Sequence, residues 1–450
     1  MGVEQDHEQN IANWLEDRMR HTIFSSYNLL FPRTRSNPLT YLGFLTFATF
    51  GLLCVSGIGL MFYYSPDFAN SYDSVSQITN SIPFGFELRN IHYYAADFMI
   101  VLALAHFFYL LFAGRYRFHN EVIWFTGILF GVLTTLDAYT GYVLIMNERA
   151  MLAANIGGGL LNSISPTLQL LFFGNSYSDL ILRVYTIHIA ILPGIMILLV
   201  LVHFPRALQV DLPMIAWISG AIAVVGGIWP VALGTQFVPS SATPISFPEW
   251  YLTGIYAFLR TGLLVFVAGV FLPFLFLFIF LLIPFYDTSA KRSYMHRLVA
   301  SFGVGVISDT VLITIWGFRA GNLLLPLTNS EQLPINPLIF WTAFFLTGAL
   351  SMLATWFLFT RRPVRAFSSV SRVHKLGLND SVLALAGITI SQAILLAGAY
   401  IVRASSPAFA FTQVGAVVML YGAALKIYLS KRESETHSIV ESDKSETGGS

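Results

Sequence analysis

Four of the ten histidines in this 450-residue chain, His92, His106, His188 and His203, lie in or at the ends of apolar runs. A polar ring placed in hydrocarbon needs a partner. One such histidine would be explained as a hydrogen-bonded packing residue, but these four are spaced as two pairs. On an α-helix, the 14-residue step from His92 to His106 returns within roughly 40° of the same face after a rise of about 21 Å. The 15-residue step from His188 to His203 overshoots by roughly 60° and rises about 22 Å. Two helices running the same way through a bilayer would therefore set His92 opposite His188 near the outer surface and His106 opposite His203 near the inner one. Two stacked bis-imidazole sites suit six-coordinate haem engaged in electron transfer. Zinc is the weaker alternative, since two imidazoles are half a tetrahedral set and no Cys, Asp or Glu stands at ligand spacing.

Gly43 and Gly57 are also 14 residues apart, as are Gly127 and Gly141. Absent side chains at that period would leave room for flat macrocycles at both depths. Small residues that merely let helices approach closely explain most other intramembrane glycines, such as Gly220, Gly226 and Gly227.

The elements that must carry these residues are apolar helices. Hydrophobic residues make up 55% of the chain, aromatic residues 15% and charged residues 11%, with a mean hydropathy of +0.67. That exceeds what one soluble core can bury, so the expected partner is a lipid bilayer. The fold class expected is all-α: a polytopic membrane protein of about ten transmembrane helices with a four-helix di-haem bundle in its N-terminal half. Runs long enough to span fall near 40–64, 91–113, 122–146, 183–205, 212–236, 261–286, 298–317, 337–360, 381–402 and 407–429. With both termini cytoplasmic, only Arg89, Arg149, Arg183, Arg260, Arg319 and Arg403 of the 25 Lys and Arg fall outside, which is the positive-inside bias of a multi-pass cell-membrane protein. A net charge of +1 spread over membrane-proximal loops carries no nucleic-acid signal. Cys54 stands alone, so the chain builds no intrachain disulfide, iron–sulfur cluster or covalent haem attachment, and the residue reads as packing in the first span.

Residues 1–38 mix Trp14, Leu15 and Ile23 with Glu16, Asp17 and Arg18, which fits an interfacial amphipathic segment and not a cleavable leader. The expected organisation continues with a di-haem bundle over 39–210, further helices over 211–362 and two additional helices over 363–430. A disordered polar tail occupies 431–450. The outer connections 65–90, 147–182 and 237–260 are long, and function is expected to concentrate there.

Several separate stretches within residues 11–360 resemble the cytochrome b family of quinol:cytochrome c reductases. They are Trp14-Leu15, the 14-spaced glycines, Arg89 before His92, Gly141-Tyr142-Val143-Leu144, Arg183 before His188, Pro248-Glu249-Trp250-Tyr251, and Leu282-Ile283-Pro284 followed by Ser293. The resemblance implies two haems, b-type or a-type, ligated by the paired histidines, with Arg89 and Arg183 near the outer propionates, although interface arginines also serve as anchors. It implies an outer quinol pocket built on Pro248, Glu249, Trp250 and Tyr251 and lined by Tyr142. There Glu249 would accept a proton and turn outward to release it. Taken alone, a Pro-Glu-Trp-Tyr run beside a span reads as interfacial aromatic anchoring. The implied partners are quinol and quinone, a Rieske iron–sulfur protein receiving one electron of each pair, downstream cytochrome or oxidase subunits, and a second copy in a homodimeric core.

The chain departs from the family after Leu144, where Ile145-Met146-Asn147-Glu148 replaces Pro-Trp-Gly and alters the expected pocket wall. Of the family's inner quinone site only Asp211 has a match. Tyr109 stands where an arginine would serve the inner haem, leaving Arg115 or Arg117 for that task. Asp309 matches an acidic residue of the family and reads as a paired structural carboxylate. Two other classes remain open: a di-haem anchor of another quinone-linked oxidoreductase, which has no need of residues 248–251, and a haem-free transporter, which leaves the paired depths unexplained.

Overall fold

The computed structural model describes residues 38–117, 119–204, 210–239, 247–288, 294–317, 335–361, 390, 392–394, 396–403 and 406–447. The expected interfacial segment 1–38 lies almost wholly outside them. Among the described residues every regular element is helical, and the single extended pairing is an isolated bridge between Asn147 and Gln236.

The N-terminal half comprises α1 (Leu42–Met61), α2 (Ser71–Asn80), α3 (Gly85–Ala113), α4 (Glu121–Val143), α5 (Glu148–Ile164), α6 (Pro166–Phe173), α7 (Tyr177–Thr186) and α8 (Leu192–His203). Beyond it follow α9 (Leu212–Ile228), α10 (Thr253–Leu259), α11 (Leu272–Tyr286), α12 (Tyr294–Gly317), α13 (Pro337–Arg361) and α14 (Pro407–Thr447). Side chains start several of them: Asn147, Ser165, Ser176 and Asp211 each accept a backbone N–H of the first turn, as N-caps do. A π turn, Ile187–Ile191, joins α7 to α8 into one membrane-length helix. It holds one residue more than an α turn, which accommodates the 15-residue histidine step. Pro193, which has no N–H to donate, stands just beyond it.

Eight helices among the described residues are long and apolar enough to cross a membrane. The expected span 212–236 is shorter: α9 ends at Ile228, because Trp229 precedes Pro230 and a residue before proline avoids the helical region. The chain then runs without regular structure to the bridge at Gln236. Gly262 adopts a left-handed φ of 77°, so the expected span 261–286 turns helical only from Val265, through a π turn over Val267–Phe271. Of the expected span 381–402, the described part is a short helix, Gln392–Val402. The expected disordered tail 431–450 is instead helical as far as Thr447, in a stretch with neither proline nor glycine to interrupt it.

α1 packs along α3, α4 along α8, and α9 along both α14 and α3. The α9–α14 seam is antiparallel and backbone-close. A Cβ on Gly220 would meet the Met419 backbone at 2.2 Å, one on Gly227 the Ala408 carbonyl at 2.8 Å, and one on Gly422 the Pro213 carbonyl at 2.5 Å. These glycines serve close helix approach. Lys426 closes the seam with a buried ion pair to Asp211, so that carboxylate, the match to the inner quinone site, is held by the C-terminal helix.

Candidate functional site

The 14-residue period resolves into four glycine–histidine contacts. A Cβ on Gly57 would approach the His92 ring to 3.2 Å and one on Gly141 the His188 ring to 2.6 Å, while at the other depth Gly43 faces His106 at 2.9 Å and Gly127 faces His203 at 3.1 Å. The missing side chains thus clear space for the imidazoles themselves. His92 and His188 stand with ring centres 6.2 Å apart and planes at 87°. Two imidazoles bound on opposite sides of one metal ion, each at about 2 Å, would put their ring centres about 6 Å apart, so the outer pair fits a six-coordinate haem iron. His106 and His203 lie within electrostatic reach of each other. Among the described residues no three His, Cys, Asp or Glu side chains gather as a metal site, so neither pair completes a zinc set.

Three of the four Nδ1 atoms are anchored, which leaves their Nε2 to face a ligand. His92 Nδ1 is 3.0 Å from the Ser56 hydroxyl, and His203 Nδ1 is 3.0 Å from that of Thr126. His188 Nδ1 lies 3.3 Å from the Thr140 hydroxyl, 3.1 Å from the Asp137 carbonyl and 3.0 Å from the Asp137 carboxylate. Ser56, Thr126 and Thr140 each immediately precede one of the four glycines. Leu42 precedes the fourth, Gly43, and the His106 Nδ1 it would serve is buried with no partner. That Ser/Thr-Gly repeat is a signal the histidine spacing alone passes over.

A cavity of about 370 Å³ opens beside the outer pair. His92, His188, Gly57 and Gly141 line one part of it; Tyr93, Asp97, Tyr142, Glu249 and Tyr251 line another. Glu249 accepts a hydrogen bond from Tyr93 at 2.9 Å, and the Trp250 indole N–H donates to Asp97 at 2.7 Å. Burial, reinforced by Glu249, raises the Tyr251 hydroxyl well above its ordinary pKa and keeps it a donor. Pro248 is buried at the head of this segment. Tyr93 and Asp97 are absent from the sequence motif, yet an acid within an apolar span and an i, i+4 tyrosine on its face are legible signs of a site.

The arginines bond to backbone carbonyls and to Asp287. Arg89 lines the cavity, but its guanidinium donates to the carbonyls of Val231 at 2.8 Å and Ala232 at 3.2 Å. It thereby clamps the segment after α9, which Asn90, Tyr94, Tyr72 and Asn147 also hold. Arg183 is not brought to the site: it donates to the carbonyls of Leu170 and Leu171, capping the last turn of α6 where a cation is favoured. Arg117, one of two expected to serve the inner pair, is committed to Asp287 at 2.8 Å. Met146 has a left-handed φ of 55°, and the peptides around it bond the 235–237 segment, so the stretch replacing Pro-Trp-Gly forms a wall against that segment. Asp309 seats against Gly348 at the α12–α13 crossing, with its Oδ1 buried and without a hydrogen-bond partner among the described residues.

Comparison with known proteins matches residues 33–209 to the family model "Cytochrome b/b6/petB" and residues 239–329 to "Cytochrome b(C-terminal)/b6/petD". Cytochrome b6 of Heliomicrobium gestii is 31% identical over 199 residues, 42% of this chain and 93% of that one. This chain belongs to the cytochrome b family. The cytochrome bc complex cytochrome b subunit of Chlorobaculum thiosulfatiphilum is 26% identical over 313 residues, 61% of this chain and 72% of that one. A solved chain titled "Hyperthermophilic respiratory Complex III" shares the fold at a TM-score of 0.58 and 23% identity, covering 77% of this chain and 96% of the other. Membership makes this chain a haem-binding, multi-pass redox subunit of the bc-type quinol oxidoreductases.

Proposed function

We propose that this cytochrome b holds one haem between His92 and His188 near the outer membrane surface and a second between His106 and His203 near the inner one. Quinol is oxidised in the cavity beside the outer pair. The observation that carries this reading is the continuity of that cavity, which reaches from both outer histidines and their glycines to Glu249 and Tyr251. With Cys54 as its single cysteine the chain has no Cys-x-x-Cys-His attachment, so the haems, b-type or a-type, would be held by the histidines and by packing contacts. A haem held between two such histidines would supply one-electron transfer.

The chain's own residues do the rest. Tyr93 holds the Glu249 carboxylate at the cavity, where it takes a proton from a quinol hydroxyl. Tyr251 and Tyr142 wall the pocket with aromatic surface, and Arg89 places a positive charge at its edge. One electron leaves to a Rieske iron–sulfur protein on the outer face, and its partner crosses through the stacked histidine pairs, with protons released outside. Downstream cytochrome or oxidase subunits and a second copy of the chain complete the assembly, with both termini on the cytoplasmic side.

Glu249→Gln tests the reading. Loss of a positioned general base lowers turnover by roughly a hundredfold or more, so quinol oxidation should fall by that order with both haems retained. Unchanged turnover would contradict the role of Glu249.

A further inference from the structure

The quinol cavity contains a second carboxylate that the residue 248–251 motif does not supply. Asp97 is on α3, four residues after Tyr93, so the two share a helix face. Tyr93 carries Glu249, and Asp97 accepts the indole N–H of Trp250, the next residue. One face of α3 thus grips two successive residues of the motif. It places Asp97 on the same cavity wall as Glu249, within electrostatic reach of it.

Building on the quinol-oxidising reading above, we propose that Asp97 is the second proton acceptor of the quinol pocket. Oxidation of a quinol breaks two O–H bonds and yields quinone, two protons and two electrons. Glu249 receives one proton and the Asp97 carboxylate the other. The electrons go to one-electron acceptors, a haem iron at the outer pair and an iron–sulfur protein outside. An aspartate within an apolar helix is costly unless it is paired or in use. A pin for Trp250 needs only a neutral acceptor, which an asparagine would provide without the desolvation of a charge. The groups facing Asp97 are Glu249, Tyr93, Tyr94, Trp250 and Tyr251, and Arg89 lines the same cavity.

The test uses the intact membrane complex and measures quinol oxidation across pH together with the haem spectrum. Asp97→Asn keeps an acceptor for the Trp250 indole and removes the proton acceptor. It should lower turnover at least tenfold with haem content and the KM for quinol unchanged, and it should displace the fall in rate on the acid side, because Glu249 is then the one required base whose protonation that limb reports. Trp250→Phe removes the pin alone and should keep that acid limb. Asp97→Glu should retain activity with the limb displaced, and it remains informative if the asparagine variant does not assemble. An Asp97→Asn profile matching wild type overturns the proposal, as does an Asp97→Glu limb at the wild-type position or a Trp250→Phe variant that loses the limb. If the wild-type complex oxidises no quinol, the underlying reading fails instead.

Discussion

The outer and inner histidine pairs share one scaffold and differ in what lies behind each ring. At both depths a glycine from α1 and a glycine from α4 clear space for the imidazoles, so position is set alike. At the outer level both Nδ1 atoms have acceptors, and His188 faces the Asp137 carboxylate. At the inner level His203 has the Thr126 hydroxyl, while the buried His106 Nδ1 has none. Only the outer pair opens on the cavity that contains Glu249 and Asp97. The period builds two equivalent seats, and the groups behind each Nδ1 make them electronically unequal. A carboxylate accepting Nδ1–H makes an imidazole a stronger donor, which favours oxidised iron.

The largest expected effect breaks one seat and spares the other. Gly141→Leu drives a side chain into the His188 ring, already 2.6 Å from a bare Cβ. It should remove one of two haems and leave the inner one, as counted by haem extraction; loss of both, or of neither, would refute independent seats. Asp137→Asn comes next. It should raise the outer midpoint, with a tenfold change in the oxidised-to-reduced ratio corresponding to about 59 mV for one electron, and leave the inner couple in place during a redox titration. An unmoved outer couple would remove the carboxylate from the account. The smallest effect sharpens the comparison: Leu42→Thr completes the hydroxyl-glycine repeat beside His106 and should lower the inner midpoint, by less than Asp137→Asn raises the outer one.

Much of this was legible before any coordinates. Histidine and glycine periods follow from helix geometry, and the extra residue in the His188–His203 step implies a local defect, found as the π turn over Ile187–Ile191. The break of α9 at Trp229 was readable too, since Pro230 announces it, but hydropathy averaged over a window hides one proline. Arg183 could not be placed from sequence. Anchoring, capping and propionate contact all demand an arginine at an interface, and only the position of the α6 carbonyls decides among them. Asp137 and Asp97 were visible as charges in apolar runs, but their partners, His188 and Trp250, are far away in sequence. α14 illustrates the same limit: its glycines find α9 across nearly 200 residues.

The central claim is that this chain seats two haems, each between one histidine of α3 and one of the α7–α8 helix. A reduced-minus-oxidised spectrum with haem extraction on the purified protein and on a His188→Ala variant tests it most directly. Two low-spin haems in the wild type and one in the variant are predicted; a wild type without two low-spin haems, or a variant that keeps both, would contradict it.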